Sequence, residues 1–167
     1  ISLSGQMKRL EEDYEIIRKT RPIFSKDTTK NVRYEISDMF LRSWFRYFIK
    51  YQKLIELQNY KVLSEIIIND FPTYSGETLE MYFRQKMIES QEFIDIGSWW
   101  AGKNHSDQNE IDIIGIYSDS KRALVAEVKR QRKNFKPELL QQKIEFIRTK
   151  ILSKYEIESR CRTMEDM

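Results

Sequence analysis

Three charged residues, Asp112, Glu127 and Lys129, lie in two neighbouring apolar runs at a spacing that could support hydrolytic chemistry. Asp112 lies near the start of the run IDIIGIY, and the other two lie at the end of the run ALVAEVK. The polar residues between the runs predict a hairpin, and a bend centred between Asp119 and Ser120 places Asp112 opposite Glu127. Their Cβ atoms are then about 5 Å apart. Because side chains alternate along a strand, Lys129 projects to the same face as Glu127.

Two carboxylates that face each other inside an apolar sheet need a neutralising partner, since like charges at such positions are destabilising. Both faces of the two runs are otherwise apolar, as in central strands covered by helices. Mg²⁺ is commonly held by one or two carboxylates, water and substrate phosphate, so Asp112 and Glu127 are candidate metal ligands. Lys129 could orient or deprotonate an attacking water, or offset charge on a phosphorane-like transition state. The alternative is a simple ion pair between Glu127 and Lys129, with Asp112 capping a strand.

The composition is that of a folded protein. The 167 residues are 40% hydrophobic and 13% aromatic, which is enough for a packed core in one domain or in two small ones. A net charge of +3 permits a nucleic-acid partner without demanding one. A single cysteine excludes an internal disulfide, and neither a signal peptide nor a bilayer-spanning apolar run is present. These features predict a cytoplasmic protein without a membrane partner, and the first residue, which is not Met, indicates a piece of a longer chain.

Residues 1–36 predict a helix followed by a hairpin. Apolar residues recur at helical spacing after Ser4 and stop near Glu15. Two strand-like runs, EIIRKTRPIF and NVRYEIS, flank the polar stretch SKDTTK, which we expect to form a flexible tip. A helix followed by a hairpin resembles the second half of a winged helix-turn-helix with SKDTTK as its wing, and any small α+β unit is the alternative.

Residues 37–74 predict a helical linker. Ser37 is a good N-cap for a strongly buried helix over 38–56, in which aromatic side chains recur at helical intervals. A second helix over 59–70 should end at Phe71, because the residue before a proline avoids helical dihedral angles.

Residues 75–167 predict an α/β domain. The order is a helix over GETLEMYFRQKMIES, a strand over FIDIGSWWA, the hairpin described above, and a long helix that begins at Pro137. In that last helix, residues 140, 144, 147 and 151 form one apolar face. The charged tail from Ser153 should fray. This order predicts a sheet flanked by helices.

Two basic groups could contact nucleic-acid phosphates. Lys26 and Lys30 lie in the SKDTTK stretch, where they suit backbone contacts but hardly sequence selection. Arg130, Arg132 and Lys133 directly follow the candidate metal site, where they would grip phosphates next to a scissile bond or form a solvated connection.

Four further residues have functional and structural interpretations. Trp99 and Trp100 would stack on a base or pack against the sheet. His105 lies in a polar loop without a second histidine or cysteine, so we expect a solvated side chain rather than a zinc ligand. Cys161 has no nearby basic partner in the sequence, which favours an incidental residue over a nucleophile.

The charged residues resemble the motif of the PD-(D/E)XK nuclease superfamily, whose core is a helix, a three-stranded start to a mixed sheet, and a second helix. Asp112 matches the acid that opens one strand, residues 127–129 match the (D/E)XK tripeptide, and Glu80 matches a Glu on the preceding helix. Gln141 or Gln142 matches a Gln early in the next helix of some branches. The Pro that precedes the first Asp of the motif is absent, since Ile occupies that position.

A longer ordered resemblance covers nearly the whole chain. The segments KRLEEDYEIIRKTRPIF, VRYEISDMFLRSWFRYF, GETLE, GSWWA, NEIDIIGI and AEVK are similar to the C-terminal portion of archaeal-type AAA-family ATPases. Those proteins consist of a P-loop ATPase, a winged helix and a nuclease-like domain. The resemblance implies a Walker-containing domain before Ile1, which would be the site of ATP binding and a partner of this chain. The 167 residues contain no G-x-x-x-x-G-K-[ST] motif of their own.

The sequence therefore predicts a restriction-endonuclease-like mixed sheet flanked by helices at 75–167, preceded by a partial winged helix at 1–36 and a linker at 37–74. If the domain is active, the resemblance implies that Asp112 and Glu127 hold Mg²⁺, Glu80 supports the metal or its water, and Lys129 assists attack on a DNA phosphodiester. The alternative is an inactive module of the same fold that binds DNA or protein and regulates the missing ATPase domain.

Overall fold

The computed structural model describes residues 3–102 and 110–167, so His105 lies outside the described residues. The chain divides into two compact units. The first unit comprises Ile1–Thr20 and Val32–Phe71, and the second comprises Arg21–Asn31 and Pro72–Met167. The expected three-way division at residues 36 and 74 stays a prediction.

The first unit begins with the predicted helix and strand pair. Helix α1 spans Leu3–Glu12, and strands β1, Ile17–Thr20, and β2, Arg33–Ile36, pair in antiparallel fashion. A cross-strand ion pair joins Arg18 to Glu35, with 2.9 Å between Nη2 and Oε2. The sequence therefore located this hairpin correctly.

Strand β1 ends at Thr20, so the residues RPIF do not extend it as the strand-like run EIIRKTRPIF predicted, and the flexibility of SKDTTK itself stays a prediction. Residues 21–31 belong to the second unit, where the Ile23 N–H donates to Ser98 O at 2.9 Å. Ile23 is buried, and Phe24 stacks on Tyr155 with 6.2 Å between the ring centroids. Apolar residues within RPIF therefore pack inside the second unit, a contact between residues far apart in the sequence that local patterns do not reveal.

The single buried helix expected over 38–56 is three short helical segments. These are α2, Met39–Ser43, a π-helical segment, Trp44–Ile49, and α3, Gln52–Glu56. Asp38, rather than Ser37, is the N-cap of α2, because its Oδ1 accepts the Leu41 N–H at 2.7 Å.

The predicted burial of the aromatic residues in this region is also wrong. Phe40 is 67% exposed, and Trp44 and Phe48 are exposed as well. A π-helical turn holds more residues than an α-helical turn, so side chains spaced for an α-helix no longer share one inward face. Instead the three rings stack on one another along the surface, with centroid separations of 5.8 and 5.0 Å.

Helix α4 is continuous over Tyr60–Ser90 and contains Pro72, so the predicted break at Phe71 is wrong. Proline removes one hydrogen bond from a helix, which is a small fraction of the bonds that hold this 31-residue element. Within the first unit, Asp70 accepts hydrogen bonds from Arg46 Nε at 2.6 Å and from Tyr47 Oη at 2.8 Å. These bonds lower the pKa of Asp70 to about 2.

The second unit is built on a four-stranded mixed sheet. Its strands, in spatial order, are β3, Phe93–Trp99, β4, Ile111–Tyr117, β5, Arg122–Val128, and β6, Glu156–Arg162. The first three are antiparallel neighbours, and β6 is parallel to β5. The sequence thus predicted β3, β4 and β5 but missed the fourth strand.

Strand β6 corrects the expectation that the tail from Ser153 frays. It pairs with the full length of β5, and Tyr117 Oη donates to Glu158 Oε2 at 2.9 Å. Most of its side chains are charged or polar, so its composition resembles a solvated tail. Backbone pairing with the buried strand β5 holds the segment, and hydrophobic patterning does not reveal that interaction.

The hairpin of β4 and β5 has the predicted register. Ile113 pairs with Ala126 and Ile116 pairs with Ala123, which is the alignment of a bend centred between Asp119 and Ser120. Asp119 Oδ1 accepts the backbone N–H groups of residues 121 and 122, and Ser120 has a positive φ of 57°. A short polar side chain that bonds the turn backbone fixes the register of both strands.

Helices cover both faces of the sheet. Leu79 and Phe83 of α4 join one buried cluster, whose strand members are Ile113, Tyr117, Leu124, Ala126 and Val128. Helix α5, Pro137–Arg148, covers the other face with Leu140, Ile144 and Ile147, which pack with Ile111, Ile114, Ile116, Ala123 and Val125. The mixed sheet flanked by helices is therefore confirmed. Among the residues that the structure describes, none of the helices has the length and apolar character that a bilayer crossing requires.

Gly115 of β4 packs so closely against Met87 and Phe93 that no side chain fits at this position. A Cβ there would lie 2.6 Å from Met87 Cε and 2.7 Å from Phe93 Cδ1, whereas a Cβ at Gly76 in α4 would meet nothing within 4 Å. We therefore expect Gly115→Ala to lower the free energy of unfolding by about 1–3 kcal/mol, measured by urea denaturation. The matched Gly76→Ala change should raise it by about 0.5–1 kcal/mol, because Ala favours a helix over Gly. Wild-type stability in Gly115→Ala would contradict the described packing of β4.

Candidate functional site

The structure brings Asp112, Glu127 and Lys129 together at the end of β4 and β5 opposite the turn. Asp112 Oδ2 accepts the Val128 N–H at 2.7 Å, just beyond the last paired residues of the two strands. Glu127 Oε1 lies 2.7 Å from Lys129 Nζ. The Lys129 N–H donates in turn to Arg162 O at 2.9 Å, which extends the backbone bonding of β5 with β6 into the site. The correct hairpin register is the reason that these three residues meet.

Lys143 of α5 is a fourth member of the site that the sequence reasoning missed. Its Nζ lies 3.1 Å from Glu127 Oε1 and 3.0 Å from Oε2. Gln141 and Gln142, which the superfamily pattern favoured, are both exposed. The signal for Lys143 was its position three residues after Leu140 and four before Ile147, on the inward face of an amphipathic helix. A charged residue on that face requires a buried partner of opposite charge.

Burial and the two lysines act in opposite directions on Glu127. Only 8% of this residue is exposed, and burial opposes its ionisation. Hydrogen bonds from Lys129 and Lys143 outweigh burial and lower the pKa of Glu127 below its ordinary value. Burial disfavours the charged form of Lys129 as well, but its bond to Glu127 and the charge of Asp112 raise its pKa. Lys129 is therefore a stable ammonium group at neutral pH.

Helix α4 places Glu80 within electrostatic reach of the site. Burial, followed by the charge of Asp112, raises the pKa of Glu80 to about 8, while Arg84 and Lys129 act to lower it. Burial and the charge of Glu127 also raise the pKa of Asp112, against the opposing bond from Val128. The carboxyl groups that the sequence singled out thus influence one another.

Arg84 and Ser98 fix the backbone at Asp112. Arg84 Nη2 donates to Ser98 Oγ at 2.5 Å and to Asp112 O at 3.3 Å. Ser98 Oγ donates to the same Asp112 carbonyl at 2.8 Å. Sequence reasoning missed both residues, although Arg84 follows Glu80 by four positions and so shares its helix face.

The candidate phosphate contacts are dispersed over several environments. Lys26, Lys30 and Lys133 are exposed, and Arg130 is half-buried. Arg132 is engaged with the C-terminal turn, where its Nη2 lies 3.1 Å from an oxygen of Asp166. What these side chains bind stays a prediction.

The two tryptophans pack rather than present a stacking surface. Trp99 is buried and meets Phe146 edge-on, with 5.8 Å between the ring centroids. Trp100 is also buried, and its Nε1–H donates to Asn31 Oδ1 at 3.0 Å. Cys161 lies half-buried on β6, where burial raises the pKa of its thiol, and its expected lack of a catalytic role stays a prediction.

The carboxylates of Asp112 and Glu127 fit a cation that needs few ligands from the protein. Within the described parts of the chain, no three His, Cys, Asp or Glu side chains form a group that could hold a metal ion. Asp112 uses only Oδ2 in its described hydrogen bond and keeps Oδ1 for another partner. Mg²⁺ commonly takes one or two carboxylates and completes its octahedron with water and phosphate. Asp112 and Glu127 fit that pattern better than the four-ligand pattern of structural zinc.

Comparison with known proteins gives two matches to this chain. A family model, DUF234, described as "Archaea bacterial proteins of unknown function", matches residues 44–147, which include all the site residues from Glu80 to Lys143. An uncharacterised protein of Methanocaldococcus jannaschii, MJECL04, is 32% identical over 134 residues, covering 76% of this chain. The chain spans only 29% of that relative's length. No solved structure matches the chain.

The raised pKa of Glu80 predicts that the contribution of this residue to the stability of the metal-free protein falls as the pH rises from about 4.5 to about 8. The unfolded chain releases this proton near pH 4.5, whereas the folded chain retains it up to about pH 8. The associated stability is fully present below the lower value and is lost as the pH rises through the higher one. We expect Glu80→Gln to match wild type at pH 4 and to be the more stable protein at pH 9, measured by urea denaturation in EDTA. Glu65→Gln, at an exposed position of the same helix, is the control and should not reproduce this trend; a pH-independent difference for Glu80→Gln would contradict the assignment.

Proposed function

Since the chain belongs to the DUF234 family, whose description assigns no activity, we propose its chemistry from the site: a restriction-endonuclease-like domain that hydrolyses DNA phosphodiesters with Mg²⁺. The order α4, β3, β4, β5, α5 supports this fold, because it is the helix, three strands and helix of the PD-(D/E)XK core. The antiparallel pairs followed by the parallel β6 make the sheet mixed, as in that superfamily.

One observation carries the proposal. Asp112, Glu127 and Lys129 converge at the end of the β4–β5 hairpin that lies opposite its turn. Asp112 and Glu127 would hold Mg²⁺, and Glu80 would support the metal or its water from α4. Bound Mg²⁺ supplies Lewis-acid polarisation of the phosphate and activates the attacking water. Lys129 would bind the scissile phosphate. Its stable ammonium charge would also offset the negative charge that develops on the phosphate during attack.

The same proposal assigns roles to the rest of the chain. Residues 1–36 and 37–74 act as the partial winged helix and linker, and a P-loop ATPase domain elsewhere in the full-length protein binds ATP. The chain's small share of the Methanocaldococcus relative supports a longer protein of this kind. Lys26, Lys30, Arg130 and Lys133 contact DNA phosphates. Arg132 would first have to leave Asp166 to do so.

A second function is favoured by the contacts of Glu127. Its two oxygens already accept three hydrogen bonds from Lys129 and Lys143, as in a structural ion cluster. In that case the domain is an inactive module that binds DNA or protein and regulates the ATPase domain, and the acids and lysines hold α5 to the sheet.

Nicking of supercoiled plasmid DNA separates the two functions. We expect the wild-type chain to nick the plasmid in Mg²⁺ or Mn²⁺ and not in EDTA, and Asp112→Ala to reduce nicking to background because it removes a metal ligand. Asp95→Asn, an exposed position of β3, is the matched control and should retain full activity. Circular dichroism should show that both variants fold. If wild type binds DNA equally well with and without metal and does not nick it, the result would contradict the proposed hydrolase activity and support the inactive DNA-binding or protein-binding module.

A further inference from the structure

Lys143 contacts Glu127 in a way that Lys129 does not. The Lys143 ammonium is nearly equidistant from the two carboxylate oxygens, at 3.1 and 3.0 Å, so it bridges the carboxylate. Lys129 Nζ lies 2.7 Å from Glu127 Oε1, so Lys129 contacts one end of the carboxylate rather than bridging it. The bridging position is the one that a cation occupies when a carboxylate chelates it with both oxygens.

Counting lone pairs shows what Glu127 can still offer. An ionised carboxylate has about four acceptor sites, two on each oxygen. Lys129 and Lys143 together occupy both sites on Oε1, and Lys143 occupies one on Oε2. One acceptor site then remains on Oε2, so Glu127 can bind a metal through a single oxygen while Lys143 stays in place.

Cations differ in their need for chelation by both oxygens. Ca²⁺ takes six to eight oxygen ligands and readily accepts a carboxylate through both oxygens, whereas Mg²⁺ requires near-ideal octahedral geometry. A glutamate limited to one oxygen thus suits Mg²⁺ or Mn²⁺ and withholds a ligand from Ca²⁺. We propose that Lys143 is a positioning residue that makes the site select Mg²⁺ over Ca²⁺ by blocking two-oxygen chelation at Glu127. This inference rests on the cation site of the proposed function.

The packing of α5 explains why Lys143 would keep its position when a cation enters. Leu140, Ile144 and Ile147 of the same helix are buried in the core, which holds the backbone on both sides of Lys143. The Lys143 side chain is 17% exposed, against 32% for Lys129. Lys129 has more room to turn toward a phosphate, while Lys143 remains against Glu127.

The test measures cation selectivity rather than activity. Electron paramagnetic resonance of free Mn²⁺ gives the Mn²⁺ affinity of the whole chain, and competition with Ca²⁺ gives the ratio of the two affinities. We expect Lys143→Met to raise Ca²⁺ affinity relative to Mn²⁺ by about tenfold or more, which is the usual scale for changes next to metal ligands. Lys143→Arg should keep the wild-type ratio, since a guanidinium can cover both oxygens.

Two further variants make the result specific. Lys136→Met removes an exposed positive charge at the start of α5 and should leave the ratio unchanged. If Lys143→Met does not fold, Lys143→Gln, which can donate to one oxygen, should give an intermediate ratio. An unchanged ratio in folded Lys143→Met or, where that variant does not fold, in Lys143→Gln overturns this inference alone, provided that wild type binds Mn²⁺. A wild-type chain that binds no Mn²⁺ overturns the proposed cation site and the selectivity together.

Discussion

The buried carboxylate of Glu127 and the ammonium groups around it form the interaction on which the second unit depends. A buried charge is tolerated only with a partner, and here the partners are Lys129, directly after β5, and Lys143 of helix α5. Glu127 therefore joins β5 to α5 by charge where the rest of that interface is apolar. The same cluster sets the distance between the carboxylates and the lysines, so the packing of the sheet and the chemistry of the site cannot be separated.

Local patterns in the sequence were sufficient for the central part of this unit. Alternation of apolar residues predicted β4 and β5, and the short polar turn at Asp119 gave their register, which brought Asp112 and Glu127 to the same end of the hairpin. The amphipathic pattern after Pro137 predicted α5 and its buried face. Each of these features depends on residues close together in the sequence, so local patterns are enough to predict it.

The features that sequence reasoning missed depend on contacts between distant residues. Strand β6 is held by the backbone of β5, and Lys143 becomes recognisable only when α5 lies over Glu127. Local rules failed where a larger element overrode them: α4 continues through Pro72, and the π-helical turn after Ser43 moved aromatic side chains to the surface. Residues 21–31 are likewise held by contacts between distant residues. The Ile23 N–H donates to Ser98 O of β3, and Asn31 accepts a hydrogen bond from Trp100, directly after β3.

The bond from Lys129 to Arg162 has a kinetic consequence. It joins residues on either side of an entire helix, so forming it closes a long loop, whereas the turn of β4 and β5 closes over a few residues. Contacts of long sequence separation form slowly compared with local ones. The hairpin that carries Asp112 and Glu127 can therefore appear early in folding, but its charged end reaches its final geometry only after the last strand has docked.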